Sequence, residues 1–175
     1  MTEMRKKLEA MTRVEDVSQH PALLHAISLE HPNTIKLLDS PHPIRRYTCL
    51  VHAFNFTEQP EYVLIAERGF NVVFAGRQFA QWMIDHGHLA EVDAKDASAG
   101  DLVFYFNAEG QFKHAGIMSN GNCVVSKWGT GHLYEHEILD VPESYGTQVR
   151  FFKSLQFEEA IKRFIDFARE NGMLL

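Results

Sequence analysis

Two side chains in this sequence could carry out covalent chemistry together: the thiol of Cys49 and the imidazole of His114. A cysteine nucleophile acts as thiolate, and an ordinary thiol, with a pKa of about 8.5, is mostly protonated at neutral pH. Two devices lower that value, the positive end of a helix and a neighbouring imidazolium. The segment Arg45-Arg46-Tyr47-Thr48-Cys49-Leu50-Val51-His52-Ala53-Phe54 reads as a short apolar helix with Cys49 in its first turn and Thr48 as its cap. His114 opens the apolar part of a strand, in a sheet on which such a helix must pack. Their separation in sequence is no obstacle, because partners of this kind meet in space. Either residue alone means little: a cysteine on an apolar helix is usually a small buried hydrophobe, and a lone strand histidine is usually structural. As a pair they are the parts of a cysteine hydrolase.

Other constellations carry less. Cys123 has apolar strand neighbours and reads as core. His132 and His136 stand four apart beside Glu135 and Glu137, and His86 and His88 flank Gly87. A zinc protease needs its two histidines on one helical face with a glutamate placed as base. Here the pair follows Gly129-Thr130-Gly131 and leads into a strand, so these read as loop or surface histidines, and no metal or other cofactor is expected. No glycine pattern matches a phosphate-binding loop. The net charge of −6 argues against nucleic acid as a partner. The run Arg5-Lys6-Lys7 reads as the solvated face of a surface helix. No apolar run is long enough to cross a bilayer, so no membrane partner is expected. The charged start lacks the apolar stretch of a secretory signal, which points to a cytoplasmic chain with reduced cysteines.

The elements that must position Cys49 and His114 follow from hydrophobic spacing. Helices are expected over 3–14, with Leu8, Met11 and Val14 inward, and over 22–30, with Leu23, Leu24 and Ile27 inward. Residues 31–43 hold Pro32, Pro41 and Pro43 and read as an irregular connector. A helix over 76–90 turns Phe79, Trp82, Met83 and Leu89 inward. Strands follow at 102–106, 112–118, 123–128, 136–141 and 147–153, and a helix at 156–170 carries Phe157, Ile161, Phe164, Ile165 and Ala168 on one side. Helices first, antiparallel strands next and a closing helix make an α+β fold. With 175 residues, 45% hydrophobic and 23% charged, and no linker or repeat, the chain reads as one domain.

The segment Ala99-Gly100-Asp101-Leu102-Val103-Phe104-Tyr105, followed by His114-Ala115-Gly116-Ile117-Met118 and Asn120-Gly121, resembles the core of NlpC-type papain-like cysteine hydrolases. That superfamily shows a Gly-Asp-Leu-Val-aromatic strand, a catalytic histidine opening a His-x-Gly-Ile strand, and a nucleophilic cysteine upstream at a helix start. The resemblance covers about 45–153, leaving 1–44 as an N-terminal helical extension and 154–175 as a C-terminal helix. It implies a helix bearing Cys49 packed on an antiparallel, partly barrel-like sheet bearing His114. It also implies hydrolysis or transfer of an acyl group, most often at an amide, through a thioester. The best-known members are bacterial and cut cell-wall peptides; an intracellular peptide or amide fits this chain equally, and a protein partner is a further option. A non-catalytic binding protein and an acyltransferase are the competing readings. Here Thr48-Cys49-Leu50-Val51 replaces the frequent Asp-Cys-Ser-Gly.

The resemblance also implies a third polar residue on the next strand. If Ser119-Asn120-Gly121 is a three-residue loop, Met118 pairs with Asn122 and His114 faces Ser126. If Asn120-Gly121 is a two-residue turn, His114 faces Lys127. The first is preferred, because it groups Ala115, Ile117, Cys123 and Val125 on one apolar face and makes Ser126 the orienter of His114. The branch of the superfamily with Ser-Lys-x-Gly at this point is similar to Ser126-Lys127-Trp128-Gly129. For the oxyanion hole, the backbone N–H of Cys49 and the side chain of Tyr47 are the candidates. Trp128 and Lys127 are candidate substrate contacts.

Overall fold

The computed structural model describes residues 3–31, 35–40, 42–43, 47–63, 75–129 and 131–172. Helices α1 (Glu3–Thr12) and α2 (His20–Glu30) come first and are followed by strand β1 (Ile35–Leu38). Helices α3 (Cys49–Ala53) and α4 (Arg77–Asp85) precede strands β2 (Glu91–Val92), β3 (Leu102–Phe106) and β4 (Phe112–Met118). Then come β5 (Cys123–Lys127), β6 (Leu133–Glu137), β7 (Gln148–Phe152) and helix α5 (Phe157–Glu170). The strands form one seven-stranded sheet in the order β1-β6-β5-β4-β3-β7-β2, each neighbouring pair antiparallel. The architecture is α+β.

Successive strand residues point to opposite faces, and here both faces are covered. Leu102, Phe104 and Phe106 of β3 join Ala115 and Phe152 in a core closed by α3, α4 and α5. Val103 and Tyr105 join Met118, Val124 and Tyr134 in a second core, closed by Met4, Leu8 and Met11 of α1 and Leu24 and Ile27 of α2. Burial on both sides explains why β3 is an unbroken apolar run and not an alternating one. The first core is aromatic: the Phe164 ring lies 4.9 Å from Tyr62 and 5.5 Å from Phe79, centroid to centroid. Such pairs add roughly 0.5–1.5 kcal/mol each beyond burial.

Several expectations are corrected. Within the stretch read as a connector, Ile35–Leu38 is a strand on the edge of the sheet, paired with β6; the three prolines stand on either side of it in sequence. The strand expected at 136–141 lies at Leu133–Glu137, because Asp140 N–H turns back to Glu137 O at 3.0 Å. Cys123 is half-buried, next to the hairpin end. The short strand β2 has no counterpart in the sequence reading.

Arg5 departs furthest from its expected solvated face. It is buried, and its guanidinium donates to Val141 O at 3.1 Å, to Pro142 O at 3.2 Å and to Gly146 O. Glu9, one turn on, accepts from Ser144 N at 3.0 Å and Ser144 Oγ at 2.6 Å. Helix α1 thereby holds the turn at Glu143–Tyr145. Gly146 ends that turn at φ +94°, where an added Cβ meets Phe106 O at 2.2 Å, so only glycine fits.

Candidate active site

Thr48 takes the N-cap position in extended backbone, φ −107° and ψ 178°, but its side chain makes no capping bond. Cys49 is the first residue of α3, and its half-buried sulfur lies close enough to the Ala115, Leu50 and Cys49 amides for their dipoles to favour the thiolate. The closeness to Ala115 has a simple origin. Odd-numbered N–H groups at this end of β4 point toward β5, as Ser119 N–H does to Cys123 O at 3.0 Å. The regular pairing of β4 with β5 covers Met118↔Val124 and Ile117↔Val125 and goes no further. The next outward-pointing amide, Ala115, lies beyond that pairing, and its positive end acts on the nearby cysteine sulfur. The sulfur therefore sits where the ladder opens, at the level of the sheet. Burial pushes the thiol up, and the Ala115, Leu50 and Cys49 amides together with the Lys127 charge act against that shift.

His114 is the residue immediately before Ala115. It pairs across β3 with Tyr105 and lies on the α1–α2 face, its ring stacked on Tyr145 at 4.0 Å and 19°. Its Nε2 is buried and has no hydrogen-bond partner among the described residues. Burial holds its pKa well below the ordinary value, and the charges of His136 and His52 push the same way. The imidazole is therefore neutral, the form a general base needs. Tyr145 is kept over it by the turn that α1 holds.

The hairpin register differs from both alternatives drawn from sequence. The loop is Asn120-Gly121-Asn122, with Gly121 at φ +50° and Cys123 N–H bonded to Asn120 O at 2.9 Å. Met118 pairs with Val124, so neither Ser126 nor Lys127 stands opposite His114. The grouping of Ala115, Ile117, Cys123 and Val125 on one face survives, because the slip from the preferred register is by two residues.

Ser126 is corrected as the orienter of His114: its hydroxyl is committed elsewhere. His136 Nδ1 lies 2.7 Å from Glu137 O and must carry the proton there, so its Nε2 accepts from Ser126 Oγ at 2.7 Å. Ser126 accepts in turn from Trp128 Nε1 at 3.0 Å. His136, expected at the surface, is buried and neutral, its pKa pushed down to about 4 by burial. Tyr47 is also corrected as an oxyanion donor. Ser40 gives its proton to His42 O at 2.8 Å, so the Tyr47 hydroxyl must donate to Ser40 Oγ. Trp128 lines a cleft of about 360 Å³ with Gly129, Tyr145 and Glu9. Lys127 is fully buried, donates to Gly131 O, and has its Nζ 4.5 Å from the centre of the Tyr47 ring.

His52 escaped the sequence reading. It stands three residues after Cys49, on the same side of α3. Its Nε2 is buried without a partner among the described residues, and burial, then Lys127 and His42, lower its pKa to about 4. The i, i+3 spacing of Cys49 and His52 was the available signal.

These features define an α+β protein whose antiparallel sheet opens around a thiol and is lined by neutral imidazoles. Residues 40–153 match the model of a domain of unknown function, DUF7689, and the chain belongs to that family. No curated protein and no solved structure matches it.

Proposed function

We propose that the chain is a papain-like cysteine hydrolase of the NlpC type that cleaves an amide or peptide bond through a thioester at Cys49. The observation that carries this reading is the seat of the sulfur: it stands at the start of α3, where the regular pairing of β4 with β5 ends, near the amide of the residue next to His114. His114 accepts the thiol proton, and the sulfur attacks the carbonyl carbon. The C–N bond then breaks as His114 returns the proton to the leaving nitrogen. Water, giving a proton to His114, cleaves the thioester to a carboxylic acid and restores the thiol. Backbone donors at the start of α3 are available to the oxyanion.

The test is acyl-enzyme trapping with p-nitrophenyl acetate, read as a nitrophenolate burst and an acetyl mass on Cys49. Both are expected to vanish in Cys49→Ala, and turnover to fall about 100-fold or more in His114→Ala. A folded chain that is alkylated at Cys49 yet never acylated by any ester or amide overturns the reading. That outcome supports a binding protein on the same fold, which is favoured by one observation: burial holds both Cys49 and His114 in their neutral forms.

A further inference from the structure

Lys127 is the buried cation on the other side of the sulfur. Continuing the register from Ile117↔Val125 by two residues puts Lys127 level with Ala115, on the α3 face, opposite to the face that carries His114. Its side chain is fully buried. One N–H of the ammonium goes to Gly131 O, and the ring of Tyr47, two residues before Cys49, lies beneath it at 4.5 Å. No carboxylate among the described residues pairs with it. From α3 it is faced by Cys49 and by His52, whose neutral ring brings no counter-charge. A buried ammonium without an anion is unfavourable, and of the two described acids near it, the Tyr47 phenol and the Cys49 thiol, the thiol ionises the more readily.

We infer that Lys127 is the electrostatic partner of the Cys49 sulfur, stabilising its thiolate from the α3 face while His114 handles the proton of the leaving group from the other. This rests on the hydrolase reading only for what the thiolate is used for. The thiol gives up its proton to solvent during alkylation and to His114 during turnover, the charge left on sulfur is balanced by the ammonium of Lys127, and no bond forms between them. The mutual influence of the two groups agrees: Lys127 lowers the Cys49 pKa, and Cys49 raises that of Lys127, although burial outweighs it and brings Lys127 down to about 8.

The experiment follows iodoacetamide alkylation against pH in a Cys123→Ser chain, where Cys49 is the single thiol, and in the same chain with Lys127→Met or His114→Ala. Lys127→Met is expected to raise the apparent thiol pKa by at least one unit, slowing alkylation near pH 7 about tenfold. His114→Ala should leave that profile in place while removing nitrophenyl acetate turnover. A profile that shifts with His114→Ala and stays put in Lys127→Met overturns the inference. If Lys127→Met does not fold, the Nζ resonance of Lys127 is titrated by NMR with and without Cys49→Ser. A downward shift of its midpoint in Cys49→Ser supports the pairing, and identical midpoints overturn it. A profile governed by Lys127 with no acyl-enzyme keeps the pairing and removes the hydrolase. Acylation with a profile indifferent to Lys127 does the reverse.

Discussion

The two faces of the sheet are built on different principles. The α3–α5 face is an aromatic core in which Phe54, Phe56, Phe79, Phe104 and Phe164 touch one another. The α1–α2 face buries Arg5, His114, Ser126 and His136 among its apolar residues, and leaves the Tyr105 and Tyr134 hydroxyls without partners among the described residues. One face is held mainly by aromatic packing, with His52 and Lys127 as its buried titratable groups. The other depends on neutral imidazoles and on carbonyls satisfied by a single guanidinium. Cys49 packs against the aromatic face at the start of α3, whereas His114 belongs to the polar one.

Phe164→Ala attacks the packed face and should have the largest effect, a loss of about 3–5 kcal/mol in urea unfolding at neutral pH. The shape of the Cys49 alkylation profile should survive it wherever the variant still folds. Equal sensitivity of that profile to Phe164 and to the polar face would erase the contrast.

Acid tests the polar face. His136 is held at about 4 in the folded chain against an ordinary value of 6.5. As pH falls, the unfolded chain takes up this proton first, so stability present above pH 6.5 is lost through the window down to pH 4. His136 alone accounts for roughly 3 kcal/mol of that loss. Denaturation curves at pH 7 and pH 5 check the direction, and His136→Gln should flatten the slope. An unchanged slope means that other groups carry it.

Gly116→Ala probes the contact between β4 and the Ser126 network. Its added Cβ meets Val124 Cγ1 at 2.4 Å and Ser126 Cβ at 2.9 Å. A loss of about 1–3 kcal/mol is expected from overpacking. Arg5→Met should cost less, about 1–2 kcal/mol, by leaving the Val141, Pro142 and Gly146 carbonyls unserved. Its sharper readout is near-ultraviolet circular dichroism, which should lose the signal of a fixed Tyr145. A spectrum identical to the parent's would show that α1 does not hold that ring.

Much of the frame was legible because it rests on local rules. The run Leu102–Phe106 bounded by Gly100-Asp101 and Asn107 could only be a buried strand. The spacing of Ile161, Phe164 and Ala168 could only bury one side of a helix, as it does. The start of α3 at Cys49 followed from the polar approach to an apolar stretch. Strand β1 was not legible, because four residues between prolines become a strand only through their partner in β6.

What the sequence determined by itself was which residues are local neighbours: Cys49 at a helix start, His114 at the head of an apolar strand, and the α+β order of elements. What only the tertiary structure decided was which groups meet across the fold. Asn120-Gly121 signals a hairpin in any of three registers, and choosing among them needs the packing of both faces. That choice moved Ser126 away from His114 to His136 and set Lys127 over the ring of Tyr47. Arg5 shows the same limit, since a basic run looks solvated until the carbonyls of a distant turn are brought against it. Local propensity acts within a few residues, whereas burial and hydrogen-bond partners depend on the whole chain.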